Sequence, residues 1–223
     1  MVKTFDDMWE TIHSEQDWGQ YPSEEVIRFV ARNFFKKDRK SIRIVDMGCG
    51  NGSVVWFAAR EGFDVYGFDG SKTAIEKAKK RISDENVRAS LTVCDAANTF
   101  YPEGFFNAVI DSAVIYANRT QGIKAILKEC YRILQRDGKI FSTGLFKVGM
   151  TGYCSGEKLE ENTYREILEG PLSHRGTVHF FTYQEIIELW TEAGFKNLKI
   201  DSLERSDNGG RVEVKYYMVE AEK

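Results

Sequence analysis

The chain has 223 residues, 42% of them hydrophobic and 29% charged, which excludes a disordered chain, a collagen-like repeat and a disulfide miniprotein. With 31 basic against 34 acidic side chains the net charge is −3. The basic excess of a phosphate-backbone binder is missing, so the composition predicts no nucleic-acid partner.

Taken in chain order, Phe5, Met8, Trp9 and Ile12 lie on one face of a first helix. A break at Tyr21-Pro22-Ser23 follows. Ser23 is then placed to cap a second helix with Val26, Ile27, Val30 and Phe34 on its apolar stripe. From Ile42 the period switches repeatedly between strand and helix. Strands are expected over 42–47, 63–68, 91–94, 106–110 and 139–145. Helices are expected over 53–61 and 71–82, with a longer one carrying Ile123, Ile126, Leu127, Cys130 and Leu134. That alternation predicts right-handed βαβ crossovers and a mostly parallel sheet. Residues 147–180 are polar, Gly-rich and aperiodic, hence a functional cap or disorder. Thr182-Tyr-Gln-Glu185 is a capping box opening a helix that Gly194 stops. Two antiparallel strands around Asp207-Asn208-Gly209-Gly210 close the chain.

Four cysteines, Cys49, Cys94, Cys130 and Cys154, form no C-x-x-C pair, and three histidines complete no spaced metal set. No metal site is expected, and the cysteine usage fits a reducing compartment. No apolar run approaches the roughly 20 residues of a membrane span, and the acidic, mixed start does not read as a signal peptide. The expectation is a cytoplasmic chain with no membrane partner. One domain is expected over residues 1–223, with 1–35 as a helical lid and 147–180 as a substrate cap.

The strongest chemical signal is Asp46-Met47-Gly48-Cys49-Gly50-Asn51-Gly52, where the first strand gives way to a helix. Glycines there let backbone approach a ligand closely, and a helix start presents unpaired N–H groups. Asp69, Asp95 and Asp111 end the next strands. In a parallel sheet these tips, with Asp46, converge on one crevice. Four carboxylates suit a ligand with hydroxyls, amines or positive charge and disfavour bare phosphate.

These segments together resemble the class I S-adenosylmethionine-dependent methyltransferases of small-molecule type. The motif residues are Val45–Gly52, Val65–Ser71, Val93–Ala96 and Ala108–Ser112, with Leu134–Gly138 and Glu192–Phe195 also fitting. The resemblance implies a Rossmann-like, doubly wound α/β sheet of seven strands with an antiparallel last strand, N-terminal helices and a cap insertion. It implies S-adenosylmethionine as cofactor, S-adenosylhomocysteine as product and a small-molecule acceptor methylated at N or O. Gly48, Cys49 and Gly50 would approach the methionine moiety, with Asp46 organising the loop. Asp69 would accept the ribose hydroxyls, and Gly70 and Ser71 would flank the adenine. Asp95 would take the adenine amino group, with Ala96 beside it, while Asp111 and Ser112 would face the methionine amine. Two alternatives stand beside this reading. One is a non-catalytic module binding the same cofactor. The other is a nicotinamide-dependent reductase, disfavoured because Ser53 holds the third glycine position of its G-x-G-x-x-G fingerprint.

For the acceptor side, Tyr116 follows the fourth strand and is expected to point toward the reacting methyl. His174 and His179 in the cap are candidate bases, and Trp18 and Tyr21 are candidate lid residues over the cofactor. Trp9 is a further candidate contact from the N-terminal helices, with packing in the core the favoured reading.

Overall fold

The computed structural model describes residues 2–17 and 19–223, so the expected lid residue Trp18 lies outside the described residues. Two helices, α1 (Met8–Glu15) and α2 (Glu24–Phe34), precede the sheet. Ser23 stands at the cap position of α2, but its hydroxyl makes no capping bond. The alternating unit follows as β1 (Arg43–Met47), α3 (Ser53–Arg60), β2 (Asp64–Asp69), α4 (Lys72–Asp84), β3 (Ser90–Val93), β4 (Phe106–Ser112), α5 (Thr120–Ile133) and β5 (Leu134–Phe146). The chain then forms β6 (Glu157–Glu160), β7 (Thr163–Arg165) and β8 (Thr177–His179), and ends with α6 (Tyr183–Glu192), β9 (Lys196–Asp207) and β10 (Val212–Glu222).

The main sheet has seven strands in the order β3-β2-β1-β4-β5-β10-β9. The neighbours from β3 to β5 are parallel, and β10 runs antiparallel to both β5 and β9. Strand order reverses at β1, which lies between β2 and β4. The crevice beyond its C-terminal end is therefore the topological switch point, where open α/β sheets hold ligands.

Strand alternation distributes the core to both faces. Ala108 and Ile110 pack with α2 and α3 residues such as Phe29 and Val55. Val109 points the other way, into the cluster built by α5, α6 and the cap. Phe29 stacks on Phe141 at a centroid distance of 4.9 Å, which seats α2 against β5. β5 begins at Leu134, five residues before the expected Lys139. Its pairing with β4 shifts register between Phe106 and Ala108, and Asp137 takes a left-handed φ of 61°. The extra residues form a bulge that absorbs the turn expected there.

Residues 147–180 are ordered, with β6, β7 and β8 forming a second, antiparallel sheet. Strands of three or four residues carry too few positions to reveal a period, which is why the segment reads as aperiodic. The cap is fastened at its root. Phe180 and Phe181 are fully buried, and Glu160 Oε1 accepts from both the N–H and the hydroxyl of Thr120 at the start of α5.

The expected capping box is present: the Glu185 N–H donates to Thr182 Oγ1, and the Glu185 carboxylate receives the Thr182 N–H. Thr182→Ala should cost about 1 kcal/mol, lowering the melting temperature of a chain this size by roughly 2–4 °C. An unchanged thermal midpoint would refute the contribution of this cap.

Candidate cofactor site

At the switch point lies a cavity of about 350 Å³, within the size range of small-ligand sites. Its floor is the β1–α3 loop. Gly48, Gly50 and Gly52 have φ of 63°, 50° and 82°, left-handed values that favour glycine. Gly48 has a second reason: a Cβ there would collide with a Val114 methyl. The loop therefore nests against the turn after β4 with no room for a side chain.

Asp69 ties two walls together. One carboxylate oxygen accepts the Gly50 N–H at 3.0 Å and the other the Ser71 N–H at 2.8 Å. Ser71 in turn caps α4, its hydroxyl accepting the Ala74 N–H. Both Asp69 and Asp46 line the cavity. Burial and the neighbouring charges of Asp69 and Asp111 push the Asp46 carboxyl well above its usual range. Burial likewise raises Asp69, against the Ser71 and Gly50 N–H donors and His13. Two carboxyls thus share one buried wall, where a positive charge placed beside them would favour their ionised form.

Asp111 is fully buried beneath the site and does not face the cavity. Its Oδ1 accepts the N–H groups of Val114 and Ile115. The expected contact with a ligand amine is therefore replaced by a structural one: Asp111 shapes the turn that carries Ser112, Val114 and Tyr116. Burial outweighs those donors and raises its pKa from 3.8 to about 7.

Asp95 also departs from expectation. One of its oxygens accepts the N–H groups of Thr4 and Phe5 at 2.7 and 3.0 Å, and the other accepts the Thr4 hydroxyl and the Ala97 N–H at 2.6 and 2.9 Å. Those four donors occupy the lone pairs a carboxylate offers, so none is left for an adenine amino group. Burial works upward on this carboxyl, but the Thr4 hydroxyl and the backbone donors outweigh it and hold it below its usual range.

Of the other expected residues, Gly48, Cys49, Gly50, Gly70, Ala96 and Ser112 line the cavity, whereas Ser71 is buried behind it. Tyr116 lines it too, its ring edge-on to Phe146 at 4.9 Å, and burial pushes its phenol upward so that it stays protonated at neutral pH.

His179 and His174 lie outside the lining. The His179 ring is fully buried, with Nδ1 2.7 Å from Thr163 Oγ1 and Nε2 3.0 Å from Glu185 Oε1. Both ring nitrogens are engaged, so His179 joins the cap to α6 and is not placed as a base. His174 sits on the exposed side of the cap with φ of 57°.

The cavity also holds residues that pattern reading missed. Phe5 and His13 line it, and Trp9, a candidate contact, both lines it and packs against the core. The His13 ring lies over Gly50, with Cε1 3.5 Å from where a Cβ would stand. Burial lowers its pKa against the pull of Asp69, which keeps the imidazole neutral. The one available signal was spacing: His13 follows Trp9 by four positions, one turn along α1.

Comparisons with known proteins agree with this geometry. Residues 44–138 match the model of a methyltransferase domain. A tRNA N(3)-cytidine methyltransferase of Gallus gallus is 26% identical over 71% of this chain and 44% of its own length. O-methyltransferase 3 of Dictyostelium discoideum is 25% identical over 72% of this chain and 38% of its own length. The chain thus spans less than half the length of these relatives. A solved S-adenosylmethionine-dependent methyltransferase of Methanosarcina mazei superposes with a TM-score of 0.72 at 18% identity, over 91% of this chain and 98% of its own. The chain shares the fold of solved S-adenosylmethionine-dependent methyltransferases, and its residues 44–138 match a methyltransferase domain.

Two predictions test the buried groups. His179→Ala leaves Thr163 and Glu185 without their shared partner, at a cost of about 1–3 kcal/mol. It should lower the melting temperature but leave ligand affinity of the folded protein unchanged, and a changed affinity in calorimetry would restore His179 to the site. Asp111 holds its proton more tightly folded than unfolded. Its contribution to stability is complete below the ordinary carboxyl pKa of 3.8 and is lost as pH rises through about 7. Asp111→Asn, uncharged but still an acceptor, should therefore gain stability over wild type as pH rises from about 5 to 8. A pH-independent difference in thermal scans would sink that assignment.

Proposed function

We propose that the chain transfers a methyl group from S-adenosylmethionine to a nitrogen or oxygen of a small-molecule acceptor, releasing S-adenosylhomocysteine. The observation that carries this reading is the pairing of Asp46 and Asp69 on one cavity at the switch point, both raised by burial. A sulfonium cation bearing an ammonium group and a dihydroxyl sugar matches that pair of acceptors. The resident residues fit the cofactor on this chain's own geometry: Gly48 and Gly50 leave backbone bare along the floor, and Gly70 carries no side chain of its own on the wall beside Asp69.

When bound, the cofactor supplies a methyl group already activated on positive sulfur. The protein's work is alignment and exclusion of water. Asp69 would accept the sugar hydroxyls while remaining anchored to Gly50 and Ser71. Asp46 would offset the ligand's positive charge. Val114 and the N-terminal residues close the cavity against solvent. Tyr116, protonated at neutral pH, would orient the acceptor as a hydrogen-bond donor and is a poor base.

A small-molecule acceptor is supported by the absence of a basic excess and by the modest size of the cavity, about 350 Å³, between the N-terminal residues and the turn after β4. The match to a tRNA-modifying relative motivates the competing reading and makes tRNA a required arm of the test.

Titration calorimetry with S-adenosylhomocysteine should show binding that Asp69→Ala weakens more than about tenfold, because hydrogen bonds to a charged acceptor are lost. Unchanged affinity would refute that role. Incubation with methyl-labelled S-adenosylmethionine and a panel of amines, phenols and carboxylates should label one of them. Label on tRNA alone would overturn the acceptor class. Binding without transfer to any acceptor would establish a non-catalytic module.

A further inference from the structure

Gly70 has no left-handed backbone to explain it: among the described glycines with positive φ it does not appear. Its reason is space. A Cβ on Gly70 would land on the ring of Phe5, whose Cγ, Cδ2 and Cβ are the nearest atoms. Phe5 thus stands where the side chain of residue 70 would otherwise stand, directly after the Asp69 carboxylate assigned to the sugar hydroxyls. The ring is half-buried, and it lines the cavity. A large apolar ring left partly uncovered inside a cavity gains from an apolar or aromatic partner.

The ring is held there by design of the chain around it. Asp95 accepts three bonds from the N-terminal arm, the Thr4 N–H, the Thr4 hydroxyl and the Phe5 N–H. Further along, Glu10 accepts the Thr73 hydroxyl at 2.5 Å, and Lys77 Nζ donates to the His13 carbonyl at 2.7 Å. On the other side the Asp6 carboxylate lies 3.5 Å from Arg165 of the cap. The arm is therefore fastened to β3, α4 and the cap, and it spans the outer wall of the cavity. About 350 Å³ remains open with the ring in place, so Phe5 bounds the space without filling it.

We propose that Phe5 is the wall on which the cofactor's adenine stacks, supplied by the N-terminal arm because Gly70 leaves that wall bare, and that Asp95 is the positioning residue holding it. This rests on the cofactor reading above. It replaces direct recognition of the adenine amine by Asp95 with an indirect role: the carboxylate binds the arm, and the arm binds the base. Because the arm roofs the site, it must lift for the cofactor to pass and close once it is seated.

The test is calorimetry of S-adenosylhomocysteine binding to the full chain, as wild type, Phe5→Ala, Asp95→Ala and the double variant. Phe5→Ala should weaken binding about tenfold, the size expected for loss of one base–aromatic stack. Asp95→Ala should weaken it similarly, and the double variant should be little worse than either, since both remove the same wall. Thr4→Val, which deletes only the hydroxyl bond to Asp95, should give a smaller loss in the same direction without risk to the fold. Amide exchange at Thr4 and Phe5 should slow when the ligand is added to wild type. Unchanged affinity in Phe5→Ala overturns the proposal. Tighter binding overturns it too, because the ring would then be a plug in the base's place. Additive losses in the double variant would return Asp95 to direct contact with the ligand. No binding by wild type would sink the cofactor reading itself, an outcome distinct from all of these.

Discussion

The Asp69 carboxylate is the joint on which the site turns. It ends β2 and receives one N–H from the glycine loop and one from the residue that caps α4. Two loops from neighbouring strands are thereby locked in register at the point where strand order reverses. Their positions need no bound molecule, because the backbone donors are satisfied within the chain. What remains unsatisfied is charge. Asp46, Asp69 and Asp111 crowd one end of the sheet, and burial and mutual repulsion raise Asp46. A positive charge placed beside these carboxyls would favour their ionised form and relieve that cost.

The three carboxylates have divided the labour. Asp46 and Asp69 face the cavity, and Asp111 has withdrawn beneath it to shape a turn. That turn presses Val114 against Gly48, which excludes any side chain at that position. The closeness of loop and turn, and hence the form of the cavity, follows from a steric fit between residues in different crossovers. Asp95 has left the group altogether and holds the N-terminal arm. Four acidic strand tips in one sequence pattern therefore occupy three physical settings: lining a cavity, stiffening a turn and fastening the N-terminal arm.

The sheet builds only the floor and one side of the site. The remainder comes from segments outside the alternating unit. The N-terminal arm contributes Phe5, Trp9 and His13, and the cap is set firmly at its root by Glu160 and by the His179 relay between Thr163 and Glu185. The cavity is lined by the strand ends and the N-terminal arm, whereas no residue of 147–180 is in its lining; that segment is tied to the arm through Asp6 and Arg165.

The amino-acid sequence alone determined the alternation of strands and helices, the glycine loop after β1, the capping box at Thr182 and the closing hairpin. Each is written in a few adjacent residues, through period, backbone conformation or a local hydrogen bond. The cap strands stayed hidden because three or four residues show no period. Tertiary structure alone decided which acidic tip meets the cavity, why Gly70 must be a glycine, and that both nitrogens of His179 are already engaged. These depend on partners far apart along the chain, Thr4 and Asp95 being 91 positions distant, and a residue's role there is set by the neighbour folding brings to it, which no local pattern encodes.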